Sequence, residues 1–130
     1  MSDRARILVV DDEQSIRDFI SIGLRHEGFE VEVAADGGAG LRAVNTFKPD
    51  LVVVDLMMPR MDGWEVCRLM KQHPVLGRTV RVIMVTALDA WDDKREALQL
   101  GADDYVEKPF DLPTLAKTVQ RNLEQLRVAS

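Results

Sequence analysis

Three aspartates and a lysine are the residues of this 130-residue chain whose types and spacing can do chemistry together. Asp55 ends the apolar run Leu51-Val52-Val53-Val54, and a second run, Ile7-Leu8-Val9-Val10, ends in Asp11 and Asp12. If these runs are strands of one sheet, three carboxylates meet at one edge. They repel one another there, and the natural remedy is a hard cation, with Mg2+ favoured because it takes oxygen ligands and few protein ones. Thr86 follows Arg81-Val82-Ile83-Met84-Val85, with the small Ala87 behind it, and Lys108 follows Tyr105-Val106-Glu107 as the only cation expected at that edge. A carboxylate beside Mg2+, a lysine and a hydroxyl can attack phosphorus to form an acyl phosphate, the cations countering charge on the equatorial oxygens. Asp55 is then the acceptor and needs no unusual acidity, since a free aspartate, at about 3.9, is already ionised at neutral pH. Asp11 and Asp12 hold the metal, and Lys108 pairs with Asp55 before transfer and with the phosphoryl group afterwards. Taken singly, each residue has a plainer reading: an acid after a strand caps the next helix, threonine suits strand ends, and lysine is usually solvated. Convergence of all five from four strands favours the chemistry.

The elements that must position them follow from the apolar pattern. Continuous Val/Ile/Leu runs mark strands covered on both faces, as in a parallel sheet, whose ligands bind beyond the carboxyl ends of strands where strand order reverses. Short strand candidates alternate with longer amphipathic segments, the rhythm of repeated βα units. The strands fall near Arg6 to Val10, Phe29 to Ala34, Leu51 to Val54, Val80 to Val85 and Asp103 to Glu107, and five helices fill the gaps and the C-terminus. In the first helix Ile16, Phe19, Ile20 and Leu24 share one face and read as core, with Gly28 ending it. The last opens at Asp111 as N-cap with Pro113 in its first turn, and carries Leu115, Val119, Leu123 and Leu126 on one side. The chain reads as a single α/β domain over residues 1–127, with residues 128–130 as a C-terminal tail or the start of a linker.

Composition narrows the alternatives. A net charge of -5, from 17 basic and 22 acidic residues, argues against direct nucleic-acid binding, which needs a basic face. No apolar stretch approaches the roughly 20 residues that span a bilayer, and no export signal is visible, so the expected location is the cytoplasm. Cys67, the single cysteine, cannot form an internal disulfide and reads as a small core residue. Asp36-Gly37-Gly38-Ala39-Gly40 lacks the dinucleotide spacing and any following Lys-Ser or Lys-Thr, so it reads as a turn into a helix. Met57, Met58 and Met61 offer soft thioethers unsuited to a carboxylate site and read as packing. His26 and His73, with no paired ligand spacing, read as surface residues.

The motifs Val-Val-Asp11-Asp12-Glu, Asp55-Leu-Met-Met-Pro59-Arg-Met-Asp62-Gly63, Thr86-Ala87, Gly101-Ala-Asp-Asp-Tyr105 and Lys108-Pro109-Phe110, in this order over essentially the whole chain, resemble a response-regulator receiver domain of two-component signalling. The resemblance implies a flavodoxin-like, doubly wound five-stranded parallel sheet in the order 2-1-3-4-5, flanked by five helices, and a cis Lys108-Pro109 peptide. It implies that Asp12 and Asp55 contact Mg2+ directly, that Asp11 helps through water, and that Met57 adds its backbone carbonyl. It further implies a histidine kinase or phosphotransfer protein as donor in a phosphorelay. Thr86 and Tyr105 are then switch residues that remodel the face made by the fourth helix, fifth strand and fifth helix, controlling an output domain or protein. Such a chain is no enzyme beyond its own phosphoryl acceptance and slow dephosphorylation.

The apolar Met57 and Leu88, two positions past Asp55 and Thr86, cannot orient an attacking water, so self-dephosphorylation is expected to be slow. Receivers attached to winged-helix DNA-binding domains are similar in the Gly-Ala-Asp-Asp-Tyr and Lys-Pro-Phe segments, and imply a homodimer through that same face. Here Lys117, Thr118 and Gln120 stand where arginines often occur, leaving Arg121 as a shifted substitute. Trp91, among acids early in the fourth helix, is expected to be an exposed partner contact. The competing readings are a receiver-like interaction module without phosphorylation and a haloacid-dehalogenase-like phosphatase. The phosphatase would need a second acid where Met57 stands.

Overall fold

The computed structural model describes residues 4–86 and 101–129. Five parallel strands, β1 (Arg6–Val10), β2 (Glu30–Ala34), β3 (Leu51–Asp55), β4 (Arg81–Thr86) and β5 (Asp104–Glu107), form one sheet in the order β2-β1-β3-β4-β5. The helices are α1 (Gln14–His26), α2 (Gly37–Phe47), α3 (Gly63–Gln72), a one-turn α4 (Leu76–Thr79) and α5 (Leu112–Ala129). The chain leaves β1 towards β2 and returns to β3 on the other side. Strand order therefore reverses between β1 and β3, and a crevice opens beyond their carboxyl ends. The strand order and the cis Lys108-Pro109 peptide agree with what the resemblance implied. The helix expected between the fourth and fifth strands, with Ala87, Leu88 and Trp91, lies outside the described residues.

Alternation along the buried strands divides the core in two. Leu8, Val10, Val52, Val54, Val82 and Met84 face α2 and α3, packing with Val44, Phe47, Val66 and Met70. Ile7, Val9, Leu51, Val53, Ile83 and Val85 face α1 and α5, packing with Ile20, Leu24, Leu115 and Val119. Both faces of the central strands are thus out of water, which explains their unbroken Val/Ile/Leu composition. Cys67 is fully buried, and burial pushes its thiol up to about 11, so it behaves as a small apolar residue.

Local signals set the helix ends. Gly28 takes φ 97°, and α1 closes with the Gly28 and Phe29 amides donating to the Arg25 and Leu24 carbonyls, a Schellman ending. Asp36, Asp62 and Asp111 cap α2, α3 and α5 by accepting the Ala39, Glu65 and Thr114 amides at 2.7, 3.0 and 2.7 Å. The glycine-rich segment is thus a capped turn into α2. The sequence reading did not anticipate α4, which is too short to show a period. The exposed His73 sets it up, its Nδ1 accepting the Val75 and Leu76 amides.

Two packing expectations fail. Phe19 is 46% exposed, because it sits on the flank of α1 opposite Phe110, 6.3 Å between ring centroids, rather than over the sheet. Met57 is 64% exposed, since the loop after β3 turns it outward while Met58 enters the core.

Polar contacts hold the edge strand β5. The Asp103 carboxylate accepts the Val82 amide at 2.8 Å and pairs with Lys71 at 2.7 Å and Arg81 at 3.4 Å. The fully buried Asn122 accepts from Arg81 and donates to Asp104, tying β4 and β5 to α5.

Gly63 sets how closely α3 approaches the end of β3. A Cβ there would lie 2.5 Å from the Asp55 carbonyl oxygen and 2.8 Å from the Leu56 Cα. Backbone is the obstacle, so relief requires moving the strand end that carries Asp55. Gly63→Ala is expected to destabilise the protein by about 1–3 kcal/mol, read as a shift in the urea midpoint at unchanged slope.

Candidate functional site

Asp55 is the last residue of β3, and Asp11 and Asp12 are the first beyond β1, so the pairing of those strands brings the three carboxylates together. One oxygen from each lies within 4.8 Å of the others. Asp11 and Asp55 are almost fully buried, at 2% and 3% exposure, whereas Asp12 stands exposed at the mouth. Asp11 is held on two sides, its amide donating to the Ala34 carbonyl at 3.1 Å and its carboxylate accepting the Glu13 amide at 2.9 Å. The Met57 amide donates to the Asp55 carboxylate. An exposed carboxylate at the rim of two buried ones is an all-oxygen donor set. It fits a small hard divalent cation and leaves coordination positions for water and substrate.

Lys108 brings its Nζ to 3.2 Å from Asp55 Oδ1. Its backbone amide donates to the Thr86 carbonyl at 2.7 Å, which fixes the chain after β5 against the end of β4. Thr86 is itself buried at the end of β4, where its Cα pairs in register with Glu107. Tyr105 is half-buried and packs against the core layer shared with α2 and α3. All five residues expected at this edge are therefore there, delivered by β1, β3, β4 and β5.

Burial dominates the electrostatics. Removal from water pushes Asp11 up to about 6, opposed by the Glu13 amide and reinforced by the nearby Asp55 charge. Burial also raises Asp55, while the charge and hydrogen bond of Lys108 pull it back. Both shifts express the same fact: the crevice takes its carboxylates out of water, and Lys108 and the local amides return only part of the lost stabilisation.

The sequence reading missed one contributor. Lys108 is not the only cation at this edge, because Arg17 on the first turn of α1 reaches back to donate to the Asp11 carbonyl at 2.7 Å. Its position five residues beyond Asp12 was the only signal available, and an arginine in a helix normally reads as solvated. Arg121, the shifted substitute for the arginines of that dimer mode, donates to Asp104 of its own chain.

A doubly wound sheet with acids at its switch point and a lysine paired with Asp55 points to one family. The chain belongs to the response regulator receiver domain family, which it matches over residues 7–120. It is 40% identical over 125 residues to the alkaline phosphatase synthesis transcriptional regulatory protein PhoP of Bacillus subtilis, covering 96% of this chain and 51% of that protein. It is 43% identical over 122 residues to the DNA-binding response regulator MtrA of Mycolicibacterium smegmatis, covering 94% and 52%. The chain thus spans about half the length of these curated relatives. Among solved structures, chemotaxis protein CheY4 of Vibrio cholerae superposes with a TM-score of 0.85 at 36% identity, covering 91% of this chain and 98% of that one. A CheY-like receiver domain protein from Methanospirillum hungatei gives 0.89 at 31% identity, covering 98% and 100%. The fold and family are those of two-component receivers.

The raised pKa of Asp11 fixes the sign of a pH effect. Folded Asp11 holds its proton more tightly than it does unfolded. Its favourable contribution to stability is therefore complete below the unfolded value of 3.8 and is lost as pH rises through about 6. Asp11→Asn removes the buried charge but keeps an oxygen for the Glu13 amide. In EDTA the variant is expected to be more stable than wild type at about pH 7.5 by on the order of 1–2 kcal/mol, with the gain shrinking towards pH 4. Thermal unfolding across that range checks it, and a gain independent of pH would rule out the buried charge as its cause.

Proposed function

We propose that this chain is a phosphorylation-activated switch in which Asp55 accepts a phosphoryl group. The observation that carries the reading is the buried Asp55 carboxylate, paired with Lys108 at 3.2 Å and flanked by Asp11 and Asp12. An Asp55 oxygen attacks phosphorus, the P–N bond to a donor phosphohistidine breaks, and its electron pair returns to the imidazole. Asp11, Asp12, Asp55 and the backbone carbonyl of Met57 would hold Mg2+, which supplies positive charge to the phosphoryl oxygens when bound. Lys108 starts beside Asp55 and is placed to follow the charge onto the phosphoryl group. The chain turns over no external substrate, which separates it from an enzyme in the ordinary sense. Met57 stands where a phosphatase of the alternative class would need its second acid, which weighs against that reading, and the intact acid, threonine and lysine set weighs against an inert module.

The donor is a histidine kinase or phosphotransfer protein, consistent with a cytoplasmic phosphorelay. Beside Lys108 lies an apolar pocket lined by Ile16, Phe19, Pro109 and Phe110, and Phe19 also borders a second one with Ile22, Leu112 and Pro113. Phe19 and Ile22 stand exposed on α1. Such a surface suits the apolar face of a helix that carries a phosphohistidine to the crevice. Among the described residues no helix is long and apolar enough to cross a membrane.

Output rests on a population shift. The phosphoryl group carries up to two negative charges in place of the single charge of the Asp55 carboxylate, and it favours the active state only as far as it interacts more strongly with Thr86 and Lys108 there. Moving from 1:99 to 99:1 takes about 5.5 kcal/mol. Tyr105, beside Asp104 on β5, then turns with Thr86, remodelling the surface of β5 and α5 and the segment before them for an output domain or protein. A homodimer through that face needs the Asp104–Arg121 pair to open or to be shared between copies. The relatives named as DNA-binding are about twice as long as this acidic chain, so DNA contact is assigned to a separate output part.

Incubation with Mg2+ and acetyl phosphate should give an adduct on a phosphate-affinity gel that Asp55→Asn abolishes and EDTA prevents. An adduct persisting in Asp55→Asn would move the acceptor elsewhere. With Met57 apolar and no acid there to orient an attacking water, the adduct is expected to persist for minutes, and decay within seconds would contradict that.

A further inference from the structure

We propose that Arg17 is a positioning residue for Mg2+, holding the peptide plane between Asp11 and Asp12 so that both carboxylates face the crevice. The inference rests on the reading that these acids bind Mg2+. The loop from β1 to α1 must present two adjacent acids in different directions, one buried and one at the rim. A capping side chain usually fixes the entry of a chain into a helix. Here that device is missing: Glu13 at the N-cap makes no side-chain capping bond, and the first turn of α1 carries no acid. Asp11 is fixed through its amide and its carboxylate. Its carbonyl, the remaining anchor, is taken by Arg17 Nη1 at 2.7 Å. That carbonyl and the Asp12 amide belong to one rigid peptide unit, so the bond also sets the direction in which Asp12 leaves the chain.

The geometry explains why Arg17 can do this. The Arg17 amide donates to the Glu13 carbonyl at 3.0 Å, placing the residue in the first turn. Side chains in a helix lean back towards its N-terminus, over the loop. A guanidinium spans the remaining distance and donates in a fixed plane, which a lysine ammonium does not.

A positioning role and a purely electrostatic one predict opposite signs. A cation near the crevice repels Mg2+, so charge alone would make loss of Arg17 tighten binding. Loss of a group that orients a metal ligand weakens it, typically by 10–100-fold. Calorimetric titration of Mg2+ into wild type, Arg17→Met and Arg17→Lys decides between them, with thermal unfolding in EDTA as a fold control. Arg17→Met is expected to bind Mg2+ about tenfold more weakly than wild type, and Arg17→Lys to fall between the two. Amide exchange at Asp12 should accelerate in the same order. Affinity in Arg17→Met equal to or tighter than wild type overturns the proposal, as does a lowered melting temperature with unchanged affinity. If Arg17→Met does not fold, Arg17→Lys decides alone, and wild-type affinity in it overturns the proposal. Failure of the wild type itself to bind Mg2+ would overturn the reading of the site instead.

Discussion

Two carboxylates taken out of water at the ends of adjacent strands set the terms for this molecule. Burying Asp11 and Asp55 side by side costs free energy through lost hydration and mutual repulsion. The chain offsets only part of that cost. Lys108 pairs with Asp55, the Glu13 and Met57 amides donate into the pair, and Asp12 stays at the rim where water screens it. What remains is a pair of carboxylates whose burial is not fully compensated, a donor set that suits a hard cation. The raised carboxylates and the fit to a hard cation have the same electrostatic origin.

The scaffold must hold those charges without letting them move apart. The register of β1, β3 and β4 does so, with Val10 opposite Val54 and Asp55 opposite Val85, and every residue of β3 is buried. β5 is a weaker part of the sheet. It has four residues, lies at the edge and is partly exposed. Its position relies on charges and amides, with Asp103 reaching Lys71, Arg81 and the Val82 amide, and Asn122 joining Arg81 to Asp104.

Much of this was legible in the chain. Unbroken apolar runs ending in acids gave the strands within a residue or two, because a strand buried on both faces has no room for alternation. Asp111 announced one helix start, the turn at Asp36-Gly37-Gly38 another, and Gly28 a helix end, since these depend on local backbone geometry. Phe19 misled because helical spacing defines a stripe without fixing its edges, and the flank of α1 turned out to face Phe110 instead of the sheet. Met57 misled because a loop residue has no period to indicate which way it points. The one-turn α4 left no pattern at all, being held by His73 from outside its own span.

The sequence by itself determined the residue types at the strand ends and their order along the chain, and hence the kind of chemistry available: acids for a hard cation, an acceptor and a lysine. Tertiary structure decided which groups touch. It set Lys108 on Asp55 from a segment more than fifty residues away and closed Arg121 onto Asp104 within the chain. It also brought Arg17 back over the Asp11 carbonyl. The physical reason is one of range. Burial and capping are written in neighbours a few residues apart, whereas an ion pair depends on distances that only the packed sheet and its helices fix.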